Sequence, residues 1–434
     1  MASFVRDSLP TLIAVMVAVL GAGSVSCTDS SSAATTEDGD QGGASDPSGE
    51  ENRDAGGRTG AVDAGRATGS SADAGRTPTS GSDGGRAADG AIGASRSADA
   101  GASDASASAD GSSEVDASTA EGSGPCDLYA SGNTPCVAAH STVRALYGSY
   151  GGKLYQVRRA SDKTTKDVGT LSPGGVADSA VQDAFCAGTT CTISTIYDQS
   201  PKQNHLTSAP PGGNKRTPGK EANAAALKIM LAGHPVYAVS IETGMGYRNN
   251  KTSGIATGDQ PEGEYMVTSG KRYNGGCCFD YGNAETSNND DGNGTMEAVY
   301  FGNSTVWGKG SGSGPWVMAD LENGLFAGTN GVNDNNTPLA HDYVTAAIKG
   351  KAKSFAIKGG NAQSGSLKTM YDGARPKSGY DPMKKQGAII LGIGGDNSND
   401  AIGSFFEGCM TSGYPSDATD DAVQANIVAA GYGQ

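Results

Sequence analysis

The sequence from residue 125 onward predicts an all-β fold, a large β-sandwich. Glycine is abundant there, apolar runs are short, and Asn-Gly, Gly-Asn and Asp-Gly dipeptides recur. This pattern is typical of many strands joined by tight turns. The 310 residues of this segment are enough for one domain with a sizeable core.

Residues 1–26 have the pattern of a secretory signal. Arg6 precedes an apolar stretch at residues 9–20, and small residues at 21–26 lead to Cys27. The apolar stretch is too short to be retained as a transmembrane helix. A cysteine in this position resembles a bacterial lipoprotein cleavage site, although Ser24 stands where leucine is usual. We therefore expect either lipidation of Cys27 or an ordinary signal peptide with a cysteine nearby.

Residues 27–124 predict a disordered acidic linker. After Cys27 this segment has no aromatic residue, leucine, lysine or further cysteine, and its 18 acidic residues outnumber 6 arginines. Such a composition buries too little apolar surface to offset chain entropy. As a coil it would span roughly 55 Å, enough to hold a domain away from a membrane.

The charge of residues 125–434 argues against nucleic-acid binding. This segment carries 25 basic and 28 acidic residues and has no basic patch. No metal or organic cofactor is expected, and we expect a monomer.

The cysteines of the predicted domain indicate an oxidising compartment. Cys126 and Cys136 flank a short loop, Cys186 and Cys191 flank a tight turn, and each short loop pairs most simply with itself. The alternative is a zinc site, but neither the cysteine spacings nor the scattered histidines match one. Cys409 has no obvious partner, and we expect a buried, inert thiol.

Cys277 and Cys278 are adjacent, and two interpretations of them are open. Neighbouring Cα atoms lie about 3.8 Å apart across a trans peptide, closer than a relaxed disulfide prefers. The pair is therefore either two buried thiols or a vicinal disulfide. A disulfide would form a rigid ring, which we expect to be a stiff apolar wall of a ligand pocket.

Two segments carry carboxylates in an arrangement that suits glycosidic bond cleavage. Residues 314–323 predict a strand on which Asp320 and Glu322 share a face. Asp396 follows an apolar run and two glycines, in a loop that could fold over them. One carboxylate would attack the sugar and the other would protonate the leaving oxygen. From local sequence alone, however, Asp396 is more typical of a turn residue and Glu322 of a solvated strand face.

Long stretches of the predicted domain resemble the catalytic domain of glycoside hydrolase family 54, the α-L-arabinofuranosidase B group. They are GPCDLY at 124–129, AAHST at 138–142, YDQS at 197–200, NHLT at 204–207, GYRNN at 246–250, CCFDYGNAET at 277–286, GAIILGIGGDNSN at 387–399 and MTSGYPSD at 410–417. The resemblance implies a two-sheet, concanavalin-like β-sandwich (a jelly roll) and retention at the anomeric carbon. It matches Glu322 to the nucleophile and Asp396 to the general acid/base.

The resemblance also implies a sugar subsite and three disulfides. The subsite would be lined by Cys277, Cys278, Trp307, Asp320, Asn323 and Gly395, and the disulfides would be Cys126–Cys136, Cys186–Cys191 and Cys277–Cys278. On a regular strand Asn323 would face away from Glu322, so its contact with the sugar would need a twist. Trp307 could instead belong to the core. The rival carboxylates are Asp280, Glu285, Glu297 and Glu407, with Asp280 expected to be structural support beside the cysteine pair.

One departure from the family concerns substrate targeting. Family members usually carry a C-terminal arabinose-binding β-trefoil, whereas this sequence ends at Gln434. We expect an exported protein, either a cell-surface or periplasmic lipoprotein tethered by Cys27 and the linker, or a secreted one.

The leading functional hypothesis is an exo-acting retaining α-L-arabinofuranosidase. It would remove terminal arabinofuranose from arabinan, arabinoxylan and arabino-oligosaccharides of plant origin. The alternatives are a non-catalytic cell-surface carbohydrate-binding protein and an enzyme acting mainly on another pentoside, such as a β-xyloside.

Overall fold

The computed structural model describes residues 122–434, which form nineteen strands and three helices. The predicted signal segment, Cys27 and the predicted linker up to residue 121 lie outside the described residues, so these three remain predictions. Within the described part of the chain, no helix is long and apolar enough to cross a membrane.

The strands are short and follow one another closely along the chain. In chain order they are β1 (Cys136–Ser141), β2 (Lys153–Arg159), β3 (Thr165–Gly169), β4 (Cys191–Ile196), β5 (Leu206–Ser208), β6 (Leu227–Leu231), β7 (His234–Ile241), β8 (Tyr247–Asn249), β9 (Glu262–Thr268), β10 (Asp280–Ala284), β11 (Glu297–Gly302), β12 (Trp316–Asp320), β13 (Leu325–Phe326), β14 (Val344–Lys351), β15 (Ser354–Asn361), β16 (Lys368–Ala374), β17 (Ala388–Leu391), β18 (Gly403–Phe405) and β19 (Glu407–Ser412). The helices are α1 (Pro125–Ser131), α2 (Ser179–Phe185) and α3 (Asp417–Ala429).

Two large sheets pack face to face, and every pairing between named strands is antiparallel. One sheet has the order β1-β19-β9-β14-β15-β16, and the other β13-β12-β11-β10-β17-β8-β5-β4-β2-β3. A smaller third sheet has the order β18-β7-β6. The predicted all-β sandwich is therefore confirmed.

Strand alternation decides which side chains enter the core. On β12, Val317 and Ala319 point between the two large sheets and join a buried cluster with Met266 of β9 and Ile348 of β14. The remaining β12 residues point to the opposite face, because successive strand residues alternate. Trp316 and Met318 form a second apolar cluster there, with Tyr300 of β11. The ten-stranded sheet thus has a buried outer face as well as a buried inner one.

The structure contains the three disulfides Cys126–Cys136, Cys186–Cys191 and Cys277–Cys278. Cys409 is a buried free thiol, and burial raises its pKa well above the usual value. A buried neutral thiol is a poor nucleophile, which agrees with the inert role expected for it.

A buried ion network lies between the two sheets. Lys385 Nζ lies 2.8 Å from Glu262 Oε1 and 2.8 Å from Glu297 Oε2, and Arg375 Nη1 lies 2.9 Å from Glu297 Oε1. Burial alone would raise the pKa of Glu297, but Arg375 and Lys385 lower it to about 2. This depressed pKa stabilises the fold at neutral pH, and the contribution is lost as the pH falls toward 2.

Replacing Lys385 by methionine is expected to destabilise the domain by about 3–5 kcal/mol at neutral pH, because two buried carboxylates would lose their shared cation. Denaturant unfolding of K385M against the parent measures the effect. Lys384→Met, which changes the exposed neighbouring lysine, is the matched control. An unchanged free energy of unfolding in K385M would show that the network adds nothing to stability.

Candidate active site

A cavity of about 150 Å³ opens on the face of the ten-stranded sheet that points away from the six-stranded sheet. It lies at the ends of β10 and β12 and beside the loop after β17. Its lining is Asn214, Cys277, Cys278, Asp290, Trp307, Asp320, Glu322, Asn323, Gly324, Leu325, Gly394, Gly395, Asp396 and Ser398. All eight residues predicted for catalysis and sugar binding therefore lie in one place.

The turn after β12 places Glu322 in the cavity. Strand β12 ends at Asp320, and residues 321–324 form the hairpin loop to β13. Glu322 and Asn323 have φ values of 63° and 57°, and the Glu322 N–H donates a hydrogen bond to Asp320 Oδ1 at 3.1 Å.

The prediction that Asp320 and Glu322 share the face of one strand is therefore wrong, since the chain has left the strand before Glu322. The hairpin turn instead brings both carboxyls to the same cavity. It also supplies the change of direction that Asn323 needed to reach the cavity.

Asp396 lies in the loop after β17, where the sequence places it. The Ser398 N–H donates to Asp396 Oδ1 at 2.9 Å, and the Asn214 N–H donates to the Asp396 carbonyl at 3.0 Å. Two further backbone bonds close the loop: Asn397 N–H to Gly394 O at 3.0 Å and Gly394 N–H to Ser398 O at 2.9 Å. The carboxyl group is thus carried on a short, internally bonded turn.

The vicinal disulfide and the tryptophan give the cavity its apolar surfaces. Cys278 is fully buried and Cys277 half-buried, and the Ser398 hydroxyl contacts Cys277 Sγ at 3.6 Å. Trp307 is 45% exposed, so the alternative that it belongs to the core is wrong.

Two rival carboxylates belong to the site and two do not. The negative charge of Glu297 is balanced by Arg375 and Lys385 in the ion network between the sheets. Glu407 forms an ion pair with Arg144, whose Nε lies 2.5 Å from Glu407 Oε2. Asp280 on β10 is close enough to Asp320 for the two charges to interact, and Glu285 Oε2 and Glu322 Oε2 both lie close to Gly395. From the sequence, Asp280 is expected to be structural support, and Glu285 is one of the four rival carboxylates with no particular role, since no local pattern brings it to Glu322.

The crowding of carboxyl groups raises their pKa values. Burial and the Asp320 carboxyl raise the pKa of Asp280 well above its usual range, so Asp280 is neutral at neutral pH. Burial likewise raises the pKa of Asp320, to about 7. For the pair of Glu285 and Glu322, burial raises both pKa values, and the pair binds a proton at neutral pH.

Arg248 connects two segments of the site through the hydrogen bonds of its guanidinium group. Its Nη1 donates to Gly395 O at 2.6 Å and to Asn397 Oδ1 at 2.9 Å, and its Nη2 donates to the Glu285 carbonyl. Burial lowers the pKa of Arg248 to about 10, so the guanidinium remains charged at neutral pH. One side chain thus links the Asp396 loop to the end of β10.

Replacing Arg248 by lysine is expected to lower kcat about 10- to 100-fold, because an ammonium group cannot reproduce the fork of hydrogen bonds that fixes the Asp396 loop. Steady-state kinetics on a chromogenic glycoside measures the loss, and KM should change less than kcat. Arg158→Lys on the exposed part of β2 is the control. Equal kcat in R248K and the parent would contradict this positioning role.

The domain is a β-sandwich with a small cavity on one sheet face into which carboxyl groups converge, and this is the arrangement that a glycoside hydrolase requires. A family model described as "Alpha-L-arabinofuranosidase B, catalytic" matches residues 125–433. The chain belongs to this family, glycoside hydrolase family 54.

Individual relatives agree with the family assignment. The chain is 63% identical over 317 residues to a probable α-L-arabinofuranosidase B of Aspergillus terreus, covering 71% of this chain and 62% of the relative. It is 61% identical to an arabinofuranosidase/B-xylosidase of Trichoderma koningii, with 71% and 63% covered. A solved arabinofuranosidase complexed with arabinofuranosyl-α-1,2-xylobiose matches with 57% identity and a TM-score of 0.70, covering 71% of this chain and 65% of that one. The chain therefore spans less than two thirds of the length of these relatives.

Proposed function

We propose that this protein is an exo-acting, retaining α-L-arabinofuranosidase that removes terminal arabinofuranosyl residues from arabinan, arabinoxylan and arabino-oligosaccharides. The observation that carries the proposal is the meeting of Glu322 and Asp396 in one cavity of about 150 Å³. A cavity of this size suits one terminal sugar better than an extended chain. The ligand named for the solved relative, an arabinofuranosyl xylobiose, has such a terminal residue.

In the first step of the proposed reaction, a Glu322 carboxylate oxygen attacks the anomeric carbon while the bond from that carbon to the leaving oxygen breaks. Asp396 gives its proton to the leaving oxygen. In the second step Asp396 takes a proton from water, the water oxygen bonds to the anomeric carbon, and the ester to Glu322 is released. The product therefore keeps the configuration of the substrate.

The other lining residues bind and orient the sugar in this proposal. Asp320 accepts hydrogen bonds from sugar hydroxyls, and Trp307 and the disulfide give apolar faces to the furanose ring. Because Gly395 has no side chain, its backbone can lie close to Glu322. A Cβ atom at this position would be 2.8 Å from Glu322 Oε2, so any other residue would force the backbone or the carboxyl group to move.

Release of nitrophenol from 4-nitrophenyl α-L-arabinofuranoside by the full-length chain tests the proposal. We expect turnover with the arabinofuranoside and a lower kcat/KM with 4-nitrophenyl β-D-xylopyranoside. Faster hydrolysis of the xyloside would favour the pentosidase alternative. No release from a folded protein that still binds arabinan would favour the carbohydrate-binding alternative.

We further propose that the chain is exported and anchored by lipidation of Cys27, with the acidic segment as its tether. The support is the signal-like sequence before Cys27 and the three disulfides of the described domain. Mass spectrometry of the membrane fraction tests this proposal, with Cys27→Ser as the control variant. An unmodified Cys27, or cleavage at another site, would contradict it.

A further inference from the structure

Glu285 is a buried carboxyl group with one oxygen bonded and one oxygen free. It follows directly after β10 and is 0% exposed. The Thr295 hydroxyl lies 2.6 Å from Glu285 Oε1 and also 2.6 Å from the carbonyl oxygen of Gly292. Glu285 Oε2 receives no hydrogen bond from any N–H or hydroxyl group of the described residues. A buried carboxyl oxygen without a donor is costly, which suggests that this oxygen itself carries a proton.

The unpartnered side of Glu285 faces the proposed nucleophile. Both carboxyl groups lie close to the backbone of Gly395. A Cβ atom built on Gly395 would be 2.8 Å from Glu322 Oε2 and 3.0 Å from Glu285 Cδ. Glu285 Oε2 is the atom nearest to that position and Glu322 Oε2 the next, so the two oxygens face each other beside Gly395. Two carboxylates this close cannot both be ionised, and one proton between them converts repulsion into a hydrogen bond.

The surrounding charges make this proton necessary. The carboxyls of Asp290, Asp320 and Asp396 lie around the pair, with Tyr380 at its edge. Arg248 is the nearest cation, but its N–H groups bond the backbone oxygens of Gly395 and Glu285 and the amide oxygens of Asn397 and Asn250. In the described residues, no ion pair includes Glu285 or Glu322.

We propose that Glu285 is a positioning residue that keeps the shared proton and donates it as a hydrogen bond to Glu322. A nucleophile must be ionised to attack, so the proposed function assigns the negative charge of the pair to Glu322, held in one orientation toward the anomeric carbon. Thr295 contacts the other oxygen of Glu285, Oε1, so that Oε2 is the oxygen on the side of Glu322. This inference rests on the proposed function and adds a third carboxyl group to it.

The proposal predicts the sign of a shift in the pH profile. Glutamine at position 285 can still donate an N–H to Glu322. In E285Q the acid limb, which is the fall of kcat/KM on the acidic side of the pH profile, should therefore have the same midpoint as in the parent. Methionine has a similar length and no donor. In E285M the anion of Glu322 loses a charge-assisted hydrogen bond, and its acid limb should move up by about one to two pH units.

The experiment measures kcat/KM of the full-length chain on 4-nitrophenyl α-L-arabinofuranoside from acid to alkaline pH, for the parent, E285Q and E285M. Circular dichroism checks folding, and Glu285→Ala replaces E285M if that variant does not fold. Glu264→Gln is the matched control, because Glu264 is also buried with a free Oε2 but lies between the sheets. It should leave the acid limb unchanged.

Three results would overturn the proposal. A downward shift in both E285Q and E285M would mean that Glu285 is the anion and Glu322 holds the proton. No shift in E285M would mean that Glu285 is only structural. A folded but inactive E285Q would mean that a carboxyl group is required at that position. If the parent itself does not turn over, the proposed function fails instead, and the two failures are therefore distinguishable.

Discussion

Glu322→Gln is expected to reduce kcat on 4-nitrophenyl α-L-arabinofuranoside by about 10⁴-fold or more, because an amide oxygen cannot form the ester intermediate. Binding of the arabinosyl group should survive, since the amide has the shape of the carboxyl. Initial rates, with arabinose inhibition as the measure of binding, give both quantities. Glu242→Gln, an exposed glutamate, is the surface control.

Rescue by azide tests the role assigned to Glu322. In Glu322→Ala, azide can enter the space left by the carboxylate and attack the same face of the sugar. The expected product is the β-L-arabinofuranosyl azide, inverted relative to the α-linked substrate. An E322Q variant with near-parent kcat would contradict the assignment, as would an α-configured azide from Glu322→Ala.

Asp396→Asn is expected to show a loss that depends on the leaving group. Protonation by a positioned acid contributes about 10²- to 10⁴-fold, and a good leaving group does not need it. Formation of the glycosyl–enzyme ester should therefore fall strongly for a methyl or arabinosyl leaving group and little for 2,4-dinitrophenol. Pre-steady-state release of the dinitrophenol, compared with hydrolysis of arabinobiose, measures this difference.

Azide again distinguishes the second carboxyl group from the first. In Asp396→Ala, azide attacks the ester from the side vacated by the leaving group, so the expected product is the α-L-arabinofuranosyl azide. Equal losses for good and poor leaving groups in Asp396→Asn would contradict a general acid role. They would favour a role in orienting the sugar or the loop.

The two roles are compatible with what surrounds each group. Glu322 lies in a hairpin turn among buried carboxyls, where a proton held by a neighbour offsets the repulsion. Asp396 lies on a loop whose backbone is fixed by its own hydrogen bonds and by Arg248. The site thus places the proposed nucleophile and the proposed acid on separate elements that a single guanidinium links.

Much of the site could be predicted from the sequence because its parts are local. The Asp396 loop follows a short apolar run and two glycines, and each short-loop cysteine pair is joined across only a few residues. The end of β12 could also have been predicted. Asn323-Gly324 is a strong hairpin signal and predicts a turn close to this point, although the two central residues of the observed turn are Glu322 and Asn323, one position earlier.

Glu285 and Arg248 could not be predicted in the same way. Arg248 on β8 bonds Gly395, which lies 147 residues away in the chain, and Glu285, which lies 37 residues away. These contacts depend on the sheet order β10-β17-β8, in which strands distant in sequence are neighbours. Neither residue has a local pattern that marks it, so only the folded sheet shows that both lie close to the proposed nucleophile.

The stereochemistry of transfer is the most direct test of the account. The full-length chain is incubated with 4-nitrophenyl α-L-arabinofuranoside in aqueous methanol, and proton NMR identifies the first-formed methyl glycoside. Attack by Glu322 followed by methanol predicts methyl α-L-arabinofuranoside, with the configuration of the substrate. Methyl β-L-arabinofuranoside as the first product would mean a single displacement and would contradict the role proposed for Glu322.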